Sequence, residues 1–220
     1  MTPRAARPRG PALRAAWARA AATACGIAWA TTAQGATVQV DVTDAAGKPL
    51  ADAVVFLESA DASRQVKPLA GAEMAQEKKQ FVPGVLVVPV GTEVRFPNQD
   101  SVRHHVYSFS PAKKFELKLY SGTPANPVLF DRPGVVALGC NIHDQMVGWI
   151  VVVDTPFYAR AGSAAAAPGR AQIDNVPPGT YTLRTWHTRL PVGGPAQEQV
   201  LAVPATGGAV AVVRVEGLLP

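Results

Sequence analysis

The chain is poor in the residues that most often build a chemical site. Its 220 residues include two cysteines, four histidines and three methionines, and aromatics make up 7%. Long amphipathic helical periods are missing, so no segment is expected to bury one face of a helix. The apolar stretch Ala20–Thr32 is too short for a bilayer span, which needs ~20 mainly apolar residues. Acidic residues are absent from the first 36 positions, which carry five arginines: Arg4, Arg7, Arg9, Arg14 and Arg19. Without those arginines, Lys+Arg and Asp+Glu balance at 16 each, so the formal charge of +5 belongs to the leader. Nucleic-acid binding loses its footing, because such proteins carry a basic stripe on the folded part. What is present is a 48% hydrophobic chain with 19 glycines and 20 prolines, which predicts a globular protein of many turns and short elements.

The leader predicts export. Residues 1–19 form a positive n-region, Ala20–Thr32 an alanine-rich h-region, and small residues follow. Cleavage after Ala33 or Gly35 would leave Thr31 or Ala33 at the −3 position, making residues 1–35 a signal peptide and the mature protein periplasmic, without a membrane span. A lipoprotein signal at Cys25-Gly26 is opposed by Arg19, which interrupts the apolar run. Removal of Cys25 leaves one cysteine, Cys140. A lone thiol in an oxidising compartment cannot form an internal disulfide, so it is either inert in the core or has something bound to it.

Strand signals dominate the rest. VQVDV (Val38–Val42) alternates apolar and polar, Ala45–Pro49 reads as a turn, and AVVFLE (Ala53–Glu58) follows. Residues 59–80 are polar and irregular. Further strands are expected in Phe81–Gly91, Thr92–Phe96, His104–Ser110, Phe115–Tyr120, Pro127–Asp131, Val135–Gly139 and Val147–Val153. The small-residue segment 158–170 reads as a linker, and strands resume in 171–220. Many short strands between turns predict an all-β sandwich or barrel-like fold.

The sharpest local signal is GCNIHDQMVGW (Gly139–Trp149), which sets Cys140, His143 and Met146 at C-x2-H-x2-M between two strands. A thiolate, an imidazole and a thioether from one short loop form a soft donor set suited to copper. A second imidazole is needed from elsewhere, and the pair His104-His105 opens a strand after the polar turn Pro97–Asp100. Because successive strand side chains point to opposite faces, only one of the pair should face the loop.

FPNQDSVRHHVYSF and GVVALGCNIHDQMVGWIVVV together resemble the cupredoxins, the small blue-copper proteins typified by plastocyanin and amicyanin. FVPGVLVVPVGTEVRF is similar to the stretch that leads to that family's first ligand. The resemblance covers roughly residues 72–157 and implies a Greek-key β-sandwich holding one mononuclear type 1 copper ion. It implies His104 as first ligand, since Asn98 precedes it by the family's six residues. It likewise implies Cys140 as thiolate, His143 as second imidazole and Met146 as axial thioether. The short loop is closer to amicyanin, and the stretch also resembles plastocyanin-like periplasmic proteins labelled as methylamine-utilisation proteins. One position departs: the family has Asn directly after the first ligand, where it ties the ligand segments together, and here that residue is His105. His105 therefore stays open as the alternative ligand.

The flanks resemble a smaller carboxypeptidase regulatory-like, transthyretin-like β-sandwich, through VQVDVTDAAGKPLADAVVFLES and GRAQIDNVPPGTYTLRTWHT. Either residues 36–60 and 171–220 form one sandwich into which the copper domain is inserted, or Ala53–Glu58 opens the copper domain and the C-terminal strands form a module of their own.

Other readings are plainer. His187 beside Trp186 reads as a packed or surface histidine, Met74 as surface or gap-filling, and Trp149 as packing behind the site. Lys78-Lys79 and Lys113-Lys114 read as solvated turn residues. The resemblance implies a one-electron carrier rather than an enzyme, with His143 near the surface in an apolar docking patch; Pro83, Gly84, Ile142 and Gln145 are its candidates. Expected partners are a periplasmic dehydrogenase or a c-type cytochrome, met transiently. A copper carrier, or a scaffold in which the metal is only structural, are the competing functions.

Overall fold

A computed structural model describes residues 1, 35–163 and 166–220. The signal-peptide reading falls on residues 2–34, outside the described residues. No helix among the described residues is long and apolar enough to cross a membrane.

In chain order the elements are β1 (Ala36–Asp44), β2 (Val54–Glu58), α1 (Ala60–Ser63), β3 (Ala72–Glu73), β4 (Ala75–Glu77), β5 (Gln80–Val82), β6 (Val85–Pro89), β7 (Thr92–Arg95) and β8 (His104–Ser110). There follow β9 (Lys113–Tyr120), β10 (Val128–Phe130), β11 (Gly134–Leu138), β12 (Gly148–Val153), β13 (Tyr158–Arg160), β14 (Arg170–Val176), β15 (Gly179–Trp186), β16 (Gln197–Val203) and β17 (Ala209–Val215). The described chain is thus all-β apart from one helical turn, which Ser59 caps by accepting the Ala62 N–H at 3.1 Å.

Two sheets join the beginning and the end of the described chain. One runs β14-β1-β17, the other β13-β2-β15-β16. β1 alternates as its sequence predicts, with Val38, Val40 and Val42 buried. β2 has Val54, Val55, Phe56 and Leu57 all buried, as a strand between two neighbours and covered on both faces must be. Its partners are β13 and β15, so Ala53–Glu58 does not open the sheets that carry the Cys140 loop; the strands of 36–58 and 158–215 share both sheets. The segment expected as a linker begins with β13, held to β2 in the register Tyr158↔Phe56 to Arg160↔Val54. Its small side chains hid a strand whose order comes from the neighbour rather than from alternation. The stretch 59–80 likewise contains α1, β3, β4 and the start of β5, pieces too short to show a period.

Between β2 and β13 lie the sheets β10-β7-β3, β11-β12-β6, β4-β5 and β8-β9. The middle strand β12 divides its side chains by parity. Ile150 and Val152 enter the core formed by Phe81, Phe96, Phe130, Val136 and Leu138, whereas Val151 and Val153 enter the core of the flanking sheets with Leu57, Leu183 and Trp186. β6 and β11 divide in the same way, Val88 and Val136 on one side, Val85 and Val135 on the other. One sheet is therefore the common wall of two hydrophobic cores. Trp149 belongs to the second side: its ring lies 5.4 Å from Trp186, so it packs toward the flanking sheets rather than behind the site as the sequence suggests. Met74 is fully buried in the first core. Lys113-Lys114 lie in β9 rather than in a turn, where Lys113 Nζ reaches Asp131 Oδ1 at 3.2 Å.

Candidate metal centre

The site is assembled where β8 meets the loop between β11 and β12. Tyr107 and Gly139 exchange both backbone hydrogen bonds, at 3.1 and 3.0 Å, which pins the start of the loop to the strand that carries the two histidines. Glycine lets the two strands cross closely there, since a Cβ at 139 would stand 2.7 Å from the outer end of the Tyr107 ring and would force it to move. At the far end, a Cβ at Gly148 would meet Phe81 at 2.8 Å, so the loop leaves as tightly as it enters. Within it, the Met146 N–H donates to the His143 carbonyl at 2.9 Å, closing a turn that sets Cys140, His143 and Met146 around one bend.

His104 opens β8 in register with Tyr120 of β9, and the ladder is irregular between His104 and Val106. His104, Val106 and Ser108 are buried on one face. His105, Tyr107 and Phe109 line the other, with ring centroids 5.6 and 5.3 Å apart in succession, and Phe109 ends the row 77% exposed. The two neighbouring histidines therefore diverge. His104, Cys140 and His143 each turn a donor atom inward, and those atoms all lie within 4.8 Å of one another. Cys140 Sγ is 3.8 Å from His104 Nδ1, and the rings of His104 and His143 are 5.2 Å apart and inclined at 54°. Cys140 is reduced and 3% exposed, His104 is wholly buried, and His143 is half-buried. Met146 is buried in the same core as Cys140.

His105 takes no part in that cluster. Its Nδ1 meets Asn141 Nδ2 at 2.6 Å, joining the strand to the loop at the residue after Cys140. Its Nε2 is 3.0 Å from Glu116 Oε1, within ion-pair range but off the hydrogen-bonding direction. His187 is likewise committed elsewhere: Nε2 donates to the Ala51 carbonyl and Nδ1 accepts the Arg189 N–H, both at 3.1 Å.

The donor set fits a transition-metal ion. Donor atoms about 2.0–2.3 Å from one ion and spread in a plane stand roughly 3.7 Å apart, and the Sγ–Nδ1 separation of 3.8 Å meets that spacing. His143 Nδ1 is buried and has no hydrogen-bond partner in the protein. A buried ring nitrogen left unpaired is costly, and a metal bond relieves it. A sulfur with two imidazoles, and a thioether buried in the same core, favours copper over the hard cations.

The surroundings hold His104 firmly. The turn before it is knotted by Asn98, which donates from Nδ2 to the carbonyls of Val102 and Tyr120 at 2.9 Å each and accepts the Asp100 N–H at 2.9 Å. Tyr120 Oη donates to the Phe96 carbonyl at 2.7 Å, and burial pushes its phenol up to about 12, so it stays neutral. Asp100, in the same turn, places Oδ2 2.7 Å from His104 Nε2. Sequence reasoning missed this carboxylate; its signal was an acid four residues before the histidine, inside a turn read only as polar. Around the loop Ile142 and Val147 are half exposed, Pro83, Gly84 and Gln145 are exposed, and an apolar groove runs past Cys140 and Met146 beside Phe109 and Val192.

No protein-family model matches the sequence, and no curated protein is similar to it by sequence. Among solved structures, the chain is similar to a purple cupredoxin from Nitrosopumilus maritimus, with 26% identity over 37% of this chain and 99% of that one and a TM-score of 0.33. It is similar to a reduced amicyanin mutant at 25% identity over 46% of this chain and 99% of that one, TM-score 0.34. An oxidized amicyanin mutant gives 19% identity over 45% and 98%, TM-score 0.35. These likenesses cover less than half of this chain.

Proposed function

We propose that this chain is an exported, cupredoxin-type copper protein that carries single electrons between redox partners. The observation that carries this reading is the convergence of His104, Cys140 and His143 within 4.8 Å, with His143 Nδ1 buried and unpaired. Cys140 would hold the metal as thiolate, His104 and His143 through unprotonated ring nitrogens, and Met146 as a weak axial donor. Bound there, copper would supply the one-electron Cu(I)/Cu(II) couple.

The protein's own part is rigidity and exclusion of water. The loop is fastened at Gly139, at Gly148 and through Asn141, so the donors keep one geometry in either charge state. Burial of His104 and Cys140 keeps solvent from the sulfur and favours a retained cofactor over a readily exchanged cargo. With four protein donors, no position is left for a substrate, which supports a carrier rather than an enzyme. Half-buried His143 among Ile142, Val147 and Gln145 offers a small apolar face for a transient redox partner, such as a dehydrogenase or a c-type cytochrome. The methylamine-utilisation label and the transthyretin-like nature of the flanks belong to this proposal as resemblances of sequence, and the arginine-rich leader supports a periplasmic location.

The deciding experiment is a visible absorption spectrum after loading with Cu(II). An intense thiolate-to-copper band that disappears in Cys140→Ser is expected. A folded, copper-loaded protein without that band would overturn the reading.

A further inference from the structure

The contact between Asp100 and His104 lies outside the donor set and is unused by the function proposed above. A histidine has two ring nitrogens, and here they face different groups: Nδ1 lies 3.8 Å from Cys140 Sγ, while Nε2 is 2.7 Å from Asp100 Oδ2. An ionised carboxylate only accepts hydrogen bonds, so Nε2 carries the proton and Nδ1 keeps its lone pair.

The carboxylate is itself held in a built cradle. Oδ1 accepts the Lys78 N–H at 2.7 Å and Oδ2 the Lys79 N–H at 2.9 Å. These two lysines form the turn between β4 and β5 with φ of 52° and 60°, which aims successive amides at one anion. The Asp100 side chain is only 14% exposed and His104 not at all, so the pair sits where water screens it weakly.

We propose that Asp100 is a positioning residue of the metal centre: its carboxylate, cradled by the β4–β5 turn, fixes His104 as the Nε2–H tautomer and favours bound Cu(II) over Cu(I). This rests on the copper reading. The physical reason is that a negative charge on the far side of an imidazole raises the basicity of the ligating nitrogen and stabilises the more highly charged ion. Lys78 and Lys79 act through their backbone amides, and their ammonium groups have no share in it.

Two measurements test the proposal. Imidazole nitrogen chemical shifts of the copper-free wild-type protein should show His104 protonated at Nε2; a ring protonated at Nδ1 overturns it. Asp100→Asn, loaded with copper, should keep the thiolate band while its Cu(II) affinity falls about 10–100-fold, with a smaller change for Cu(I). Each tenfold change in the ratio of the two affinities raises the reduction potential by about 59 mV. An unchanged ratio in the folded variant overturns the proposal, because a purely structural cap would leave it in place. If Asp100→Asn does not fold, Asp100→Ser serves for the ratio, and the nitrogen shifts decide the tautomer in either case. A wild-type protein lacking the thiolate band fails the copper reading, whereas the nitrogen shifts decide separately whether Asp100 holds the ring.

Discussion

His105 and Asn141 join the two segments that supply the metal donors, Nδ1 to Nδ2 at 2.6 Å. An amide nitrogen can only donate, so His105 Nδ1 accepts and its proton sits on Nε2, toward Glu116. The histidine that stands where cupredoxins have asparagine thus ties strand to loop in its own way. Asn141→Ala removes this part-buried hydrogen bond, at a cost of about 0.5–1.5 kcal/mol. The expected result is a lower urea midpoint for the copper-free protein, and an unchanged midpoint would remove the tie from the account.

Met146 fills the core beside Cys140, and in the proposed copper centre it would also be the axial donor. Met146→Leu keeps the volume and should cost less than about 1.5 kcal/mol, while Met146→Ala should cost about 2–5 kcal/mol. Both should keep the thiolate band, because Cys140, His104 and His143 remain, and both should shift the reduction potential. Equal potentials in Met146→Leu and wild type would leave the residue as packing alone.

Parity along β12 separates the effects of two adjacent residues. Ile150 packs in the core that holds Cys140 and Met146, Val151 in the core of the flanking sheets. Ile150→Ala is expected to cost about 2–5 kcal/mol and to broaden or shift the copper spectrum. Val151→Ala removes about two buried methylene equivalents at about 0.8 kcal/mol each and should leave the spectrum unchanged. Chemical denaturation and absorption spectra of the two variants check both halves.

Burial pushes the His187 imidazole below its ordinary 6.5, and its bond to the Ala51 carbonyl offsets only part of that. The folded protein therefore resists a proton that the unfolded chain accepts. The associated stability is fully present above pH 6.5 and is lost as pH falls through the depressed folded value. Thermal midpoints should fall more between pH 7 and about pH 5 in wild type than in His187→Gln. Identical slopes would assign the pH dependence to other groups.

Part of the candidate metal centre was legible in the sequence because Cys140 and His143 lie in one short loop, where close spacing keeps them near each other. The Asn98 interval favoured His104 but left His105 open, because alternation says that the two rings diverge and not which one faces the loop; in the structure His104 faces Cys140 and the His105 ring turns to Asn141. The setting of Asp100 was not legible: its carboxylate is held by the amides of Lys78 and Lys79, 22 and 21 residues upstream and brought near by a hairpin too short to show a pattern. The pairing of β1 with β17 was hidden for a related reason. Alternation shows that Val38 and Val213 each face a core, but not that their strands are neighbours across the length of the chain. Trp149 was misplaced because β12 is apolar on both faces, and an unbroken hydrophobic run carries no sign of which side meets which core.

The sheet formed by β11, β12 and β6 gives one face to each of the two cores. Loosening it from either side is expected to open both interiors at once, so calorimetry should show a single melting transition in place of two. In the proposed copper protein, a tightly held ion would by mass action raise that transition for every strand, and the hairpins farthest from Cys140 would gain resistance to heat and proteases along with it.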